Sequence, residues 1–350
     1  MPKGISTNLD FLRSVAVLLV LTQHLCVRLH VDRIAWISIG TLGPFGVLIF
    51  FVHTSLVLMY SMERSSLKGR ALLKDFYIRR VFRIYPLSIL AIAAALVLHL
   101  NSDINGVPGL SHGPAPGKVS IIAQFLLMQN LIHVRSIVNV LWSLPYEVQM
   151  YIFLPFLFFW IRRSRAFWPL IALWIVSLAG AWSQPRFSVL YRFPLLNFVP
   201  CFLPGVIAFA LPHLPRLKAF LWPVFVFGLI AVFTLIPASF VGMALCLILG
   251  LAIPFFQEIR TPAIRVASHR IATYSYGIYI SHQFCIWFAL GVLAARPVWL
   301  RFGALVILLI AIPVLLYHGI EKPMIQAGIR LAKYRGSEKT EEKAPLAAAA

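Results

Sequence analysis

Charge is scarce in this 350-residue chain. Asp, Glu, Lys and Arg supply 12% of it, and 11 residues in all are acidic. With 60% hydrophobic residues, it has far more apolar surface than one soluble core can hide, which excludes water-soluble and disordered classes alike. Cysteine is also sparse. Cys26, Cys201, Cys246 and Cys285 each lie in an apolar stretch, and none shares a metal-ligand spacing with another, so no metal site or disulfide framework is expected. A cleavable signal pattern is missing, because Arg13 interrupts the first apolar stretch and no small-residue cleavage site follows. No internal repeat is evident.

What remains is an all-α integral membrane protein. A crossing helix needs ~20 mostly apolar residues. Ten segments qualify: 9–29, 42–61, 84–100, 141–161, 166–182, 195–211, 220–236, 238–257, 271–293 and 302–320. The stretch 120–133 is apolar but short, and reads as interfacial or re-entrant. The formal net charge of +20 would suggest nucleic acid in a soluble protein. Here it follows the excess of Lys and Arg in cytoplasmic loops. With the N-terminus inside, the cytoplasmic pieces carry 22 basic residues and the outer loops 8. Counting 120–133 as a crossing would invert every later loop and spoil that asymmetry. The expectation is therefore about ten crossings with both termini cytoplasmic. Residues 1–323 form the membrane domain, and 324–350 a poorly ordered charged cytoplasmic tail. Partners would include membrane lipids but no nucleic acid.

An ionisable group inside a span is costly and marks a functional site by default. The groups that pass this filter are Asp10, Arg13, His24, His53, Glu147, His282 and Glu321. Arg13 and His24 are eleven residues apart, about three helical turns, so they share one face about 16 Å apart along the axis. At the cytoplasmic mouth of the third span, Arg79, Arg80 and Arg83 sit among Phe76, Tyr77, Phe82 and Tyr85. Guanidinium groups three apart on a helix can grip one polyanion, and an interfacial topology anchor is the alternative reading. Glu147 is the one carboxylate between residues 104 and 257, and in a membrane it needs a partner, a histidine or an arginine. His282 lies near mid-span of the ninth segment.

In order along the chain, six groups of residues resemble motifs of membrane-bound acyltransferase family 3, bacterial enzymes that O-acylate polysaccharide and lipopolysaccharide sugars. They are Asn8-Leu9-Asp10-Phe11-Leu12-Arg13 with His24; Gly46-Val47-Leu48-Ile49-Phe50-Phe51-Val52; and Arg80-Val81-Phe82-Arg83-Ile84-Tyr85-Pro86. Trp142-Ser143-Leu144 with Glu147, Gln149 and Tyr151 follows, then Ser275-Tyr276-Gly277-Ile278-Tyr279 with His282. Ile320-Glu321-Lys322-Pro323 resembles the closing Glu-x-Pro element. The chain departs from the pattern at Phe11, where the family has glycine, and at Leu48, where it has an acidic residue. His53-Thr54-Ser55 and Pro145-Tyr146 also differ from it.

The resemblance implies transfer of an acyl group, acetyl in the first instance, from cytoplasmic acyl-CoA to a hydroxyl of an extracytoplasmic or lipid-linked glycan. It places such an enzyme in the bacterial inner membrane as a multi-pass protein. Acetyl-CoA is then a co-substrate and no cofactor is tightly bound. His24 becomes the general base, since a hydroxyl proton must be taken during attack and imidazole titrates near neutrality. Glu147 is expected behind His24 to set its tautomer. Arg13 would hold the donor or stabilise developing negative charge, and Arg80 and Arg83 would bind the donor. Asp10, Tyr85, Trp142, Tyr279 and His282 are expected around the same cavity, which should be continuous from Arg13 to His24. Ten spans with buried charges also describe secondary transporters and flippases, but the repeated broken half-helices of those proteins are not evident. An inactive scaffold is a third reading, and the presence of both Arg13 and His24 argues against it.

Overall fold

The computed structural model describes residues 6–102, 108–109, 117–164 and 167–341. The chain is built from helices α1 (Thr7–Arg28), α2 (Leu42–Glu63), α3 (Gly69–Val97), α4 (Lys118–Phe125), α5 (Leu144–Ser164), α6 (Phe167–Ser183) and α7 (Ser188–Tyr191). They are followed by α8 (Val199–Ala210), α9 (Leu221–Leu235), α10 (Ser239–Ala252), α11 (Pro262–Trp287), α12 (Val298–Leu316) and α13 (Lys322–Glu341). Sheet among the described residues is limited to two antiparallel two-stranded pairs, Arg33–Ile34 with Ile37–Ser38 and Asn101–Ser102 with Pro108–Gly109.

Five helical stretches are long and apolar enough to cross a membrane: Thr7–Arg28, Ile39–Glu63, Gly69–Val97, Asn139–Ser164 and Val298–Ala332. Four shorter apolar helices accompany them, Phe167–Ser183, Val199–Ala210, Leu221–Leu235 and Ser239–Phe255. Large apolar side chains such as Trp168, Trp299, Ile307 and Ile310 point outward, an arrangement stable only in an apolar solvent. The fold is that of an all-α membrane protein.

At the centre lies α2, most of whose side chains are buried. Lipid offers no hydrophobic drive between helices, so close backbone approach has to come from small residues. Gly46 provides it toward α1: a Cβ there would lie 2.6 Å from the Ala16 carbonyl oxygen. Gly205 provides it toward α8, where a Cβ would lie 2.2 Å from the Val52 carbonyl oxygen and 2.2 Å from Ser55 Oγ. Ser55 Oγ in turn donates to the Phe202 carbonyl at 2.7 Å, closing the α2–α8 contact with a buried polar bond.

The start of α1 is fixed by Asn8. Its amide nitrogen donates to the Gln257 carbonyl at 3.0 Å, and its amide oxygen accepts from Ile259 N at 3.0 Å. The Asn8 carbonyl accepts from Trp222 Nε1 at 3.1 Å. Ser6 caps the helix, its Oγ accepting from Leu9 N and donating to Glu258 Oε1 at 2.6 Å. A carboxylate against the first turn also complements the helix dipole.

Two expectations are revised. The third helix begins at Gly69 rather than near 84, so the arginine cluster and Pro86 lie inside a 29-residue helix about 44 Å long. Stretches rich in Lys and Arg read as loop in a charge count, yet both residues are good helix formers. The described part of the segment from 324 is helical. Through the π turn Tyr317–Glu321, α12 runs on into α13, which packs along α3. Residues 342–350 lie outside the described residues, as does most of the loop 101–119. In the stretch 120–133, α4 has 8 residues, too few to cross. The chain doubles back there, because buried Gln124 donates to the Arg135 carbonyl at 2.7 Å and accepts from Ile137 N at 3.3 Å.

Replacing Asn8 by Ala leaves the buried Ile259 N–H without its acceptor and the Gln257 carbonyl without this donor, at about 1–3 kcal/mol for the unpaired buried N–H. A lower melting temperature of the detergent-purified chain is expected, with Asn8→Asp less harmful because it keeps the acceptor for Ile259.

Candidate active site

Side by side and parallel, α1 and α11 are tied together at successive levels. Ser14 Oγ lies 2.9 Å from the Ser268 carbonyl oxygen, and Arg13 Nε donates to Ser275 Oγ at 2.6 Å. His24 Nδ1 lies 3.2 Å from His282 Nε2, and Arg28 Nη2 donates to the Leu290 carbonyl at 3.0 Å. The charged and titratable side chains that a membrane span can least hold are thus turned toward each other.

At the level of Arg13 a cavity of about 90 Å³ opens between α1, α2, α3, α5 and α11. Arg13, Arg80, Arg83, His53 and Glu147 line it, with Tyr151, Ser275, Tyr276 and Tyr279. Arg80 and Arg83, three residues apart, share one face of α3. Arg79 turns away and pairs with Asp75 on its own helix, Nε to Oδ1 2.8 Å. Glu147, in the first turn of α5, accepts a hydrogen bond from Tyr151 one turn later. Arg83 Nη2 lies 3.3 Å from Glu321 Oε1, but neither oxygen of that buried carboxylate has a hydrogen-bond partner among the described residues. Arg80 Nε is likewise buried without an acceptor. The site therefore gathers three guanidinium groups against two carboxylates, with a donor to spare. That combination suits an anionic ligand.

The second centre is the histidine pair. His282 Nδ1 lies 2.9 Å from the Ile278 carbonyl oxygen and His24 Nδ1 2.8 Å from that of Val20. With both rings protonated on Nδ1, the His24 Nδ1–H is shared between the Val20 carbonyl and His282 Nε2. His282 then donates to Ile278 and accepts at Nε2 from His24, whose own Nε2 keeps a free lone pair. A ring held this way can take a proton.

Tyr279 links the two centres. It lines the cavity, and its ring centroid lies 6.3 Å from that of His282 and 6.1 Å from that of Phe50. Its hydroxyl donates to the Val140 carbonyl at 2.5 Å and accepts from Ser143 Oγ at 2.7 Å.

The sequence expectations sort as follows. Arg13, Glu147, Arg80, Arg83 and Tyr279 meet in one cavity. His24 and His282 meet each other but do not line that cavity, so a single continuous space from Arg13 to His24 is not what the structure has. About three turns separate Arg13 from His24, and Tyr279 occupies the intermediate level. Glu147 is not behind His24: it engages Tyr151, and the Val20 carbonyl and His282 take the role assigned to it. Asp10 lies outside the cavity and pairs with His269, Oδ2 to Nδ1 2.9 Å. Tyr85 donates to the Leu126 carbonyl at 3.1 Å, bracing α3 against the turn after α4. Trp142 faces a different cavity, about 600 Å³ in volume. Ser275 and Tyr151 had been given no role. Their spacing carries the signal, since Tyr151 follows Glu147 by four residues, and Ser275, Tyr279 and His282 fall on one face of α11.

The class of this membrane helical bundle with buried arginines and a paired histidine follows from the comparisons. The family profile described as an acyltransferase domain matches residues 6–318, so this is a membrane acyltransferase. The chain belongs to acyltransferase family 3. Neither a curated protein nor a solved structure matches it.

Removing the Tyr279 hydroxyl (Tyr279→Phe) leaves the buried Val140 carbonyl unpaired and Ser143 without its acceptor. A loss of about 1–3 kcal/mol is expected. In a double-mutant cycle with Ser143→Ala, melting data should show coupling above ~0.5 kcal/mol. Additive losses would mean that the two hydroxyls act independently.

Proposed function

We propose that this chain moves an acyl group, acetyl in the first instance, from acyl-CoA on the cytoplasmic side to a hydroxyl of an extracytoplasmic or lipid-linked glycan. It does so as a ten-span protein of the bacterial inner membrane with both termini inside. The observation that carries the reading is the buried Arg80 Nε without an acceptor, in a cavity lined by three guanidinium groups and one carboxylate, with Glu321 beside Arg83. A phosphate-bearing donor supplies the missing negative charge. Arg80 and Arg83 take its phosphates, and Arg13, on the same face of α1 as His24, lies along the path of the pantetheine arm.

In the reaction, the sugar oxygen attacks the thioester carbonyl and a C–O bond forms. His24 Nε2 takes the hydroxyl proton as the carbonyl oxygen becomes an oxyanion. Collapse of the tetrahedral species breaks the C–S bond, and the proton passes from His24 to the departing thiolate. His282 positions His24 and fixes its tautomer without a carboxylate, a task that Glu147 had been expected to perform. Glu147 instead balances the guanidinium groups.

The test is transfer of labelled acetyl from acetyl-CoA in membranes containing the chain. Loss of a general base costs on the order of 10²–10⁴ in rate. His24→Ala should cost that much with the apparent donor affinity little changed. Near-normal transfer by His24→Ala would overturn the mechanism.

Arg80→Ala and Arg83→Ala should instead raise the donor KM, and Lys at either position should rescue poorly because an ammonium cannot replace a two-pronged contact. An unchanged donor KM in the double Ala variant would remove the donor site from α3.

A further inference from the structure

The larger cavity, about 600 Å³, lies behind the wall of the arginine site. That wall is residues 139–147, the 3-10 turn Asn139–Trp142 and the first turn of α5. Asn139, Trp142 and Tyr146 face the cleft, while Ser143, Leu144 and Glu147 face the arginines. The two spaces are back to back across a single layer of backbone. Tyr279 holds that layer from the arginine side through the Val140 carbonyl, and Gln129 holds it from the cleft side, Nε2 to the Leu141 carbonyl 3.3 Å.

The chemistry of the cleft contrasts with its neighbour's. Five side-chain amides line it, from Gln129, Asn130, Asn139, Gln184 and Asn197, and no acidic residue does among the described residues. The amides are organised rather than scattered. Asn130 and Gln149 exchange hydrogen bonds at 3.3 and 2.9 Å, and Asn197 donates to Gln184 Oε1 at 3.3 Å. Gln129 is 2% exposed, and its Oε1 is buried without a hydrogen-bond partner among the described residues. Aromatic faces complete the lining. Tyr191 stacks on His133 with centroids 4.8 Å apart and 13° between planes, while Trp142 packs edge-on to Tyr146 at 6.1 Å.

Side-chain amides donate and accept at once, which matches hydroxyl groups that do the same. Flat aromatic faces match the apolar C–H face of a pyranose ring. A phosphate or carboxylate ligand would call for cations, and the cleft offers Arg135 alone among the described residues. We infer that this amide-lined cleft, set opposite the donor cavity across residues 139–147, holds an uncharged, polyhydroxylated part of the acceptor glycan, apart from the hydroxyl that reacts at His24. The inference rests on the acyltransfer reading for its term acceptor, and on the cleft's own residues for its sugar.

Two variants on separate walls test it, Asn139→Ala and Tyr191→Ala, the second at an exposed ring whose loss leaves the fold alone. With the full chain in membranes, labelled acetyl-CoA and increasing envelope polysaccharide from the source cells, each variant should raise the acceptor KM about tenfold. That is the loss of one good contact, 1.4 kcal/mol. The donor KM should stay within twofold. Unchanged acceptor KM in both variants, or a shift in donor KM instead, would overturn the assignment. Saturation-transfer NMR on the purified chain, with neutral tetrasaccharides released from that polysaccharide, reads binding without turnover. Signal on the wild type that falls in both variants supports the site; no signal on the wild type overturns it. Absence of acetyl transfer by a wild type that still binds these tetrasaccharides would count against the acyltransfer reading and leave the sugar cleft standing.

Discussion

Three guanidinium groups held among helices inside a membrane protein set the terms for the rest of the structure. Burying a charge without partners is prohibitive, and the cost is offset by charges of opposite sign and by hydrogen bonds from other elements. Arg13 comes from α1, Arg80 and Arg83 from α3, Glu147 from α5 and Glu321 from the turn between α12 and α13. Each partner arrives from a different part of the chain, so the cavity exists only when all of them are assembled. This accounts for the length of α3, which must carry its arginines inside a helix, and for α13, which packs back along that helix with Glu321 at its start. Even so, the charges do not cancel. A surplus guanidinium and an Arg80 Nε without an acceptor leave positive charge uncompensated, which is a condition that favours an anion.

Much of this arrangement is legible in the sequence, for reasons that can be named. Apolar segments of near-crossing length became helices because lipid leaves the backbone no other way to satisfy its hydrogen bonds. Periodicity put Arg13 and His24 on one face, and the structure turns that face toward α11. Spacing reports the face but not the neighbour. The assignment of Glu147 to His24 failed there, since nothing local says that α5 delivers its carboxylate at the level of Arg13, some three turns away. Asp10 failed similarly: expected around the cavity with Arg13, it pairs instead with His269. The start of α3 was missed because a dense run of Lys and Arg marks the cytoplasmic side in a charge count whether it is loop or helix.

The motif from Trp142 to Tyr151 gains a physical meaning from its alternation. Trp142 and Tyr146 face the amide cleft, Ser143 and Glu147 the arginine cavity, and Gln149 fixes Asn130. One short stretch serves two chemically opposite spaces because a 3-10 turn entering a helix presents successive residues to different sides. Any change in its register would disturb both spaces together. The Tyr279 hydroxyl, bonded to Val140 and Ser143, is the contact that resists such a shift.

The histidine pair holds His24 without a carboxylate. An anionic partner would also stabilise the imidazolium formed on proton transfer, whereas a neutral partner fixes only the ring and its tautomer. A backbone carbonyl and the lone pair of His282 hold the Nδ1 proton in place with no net charge. The carboxylates stand instead beside Arg80 and Arg83, where they lower the cost of keeping guanidinium groups buried. Arg13 and the imidazole pair thus sit at separate levels of α1 and α11, and under the proposed acyl transfer a polyanionic donor head would meet the first and the reacting acyl carbon the second.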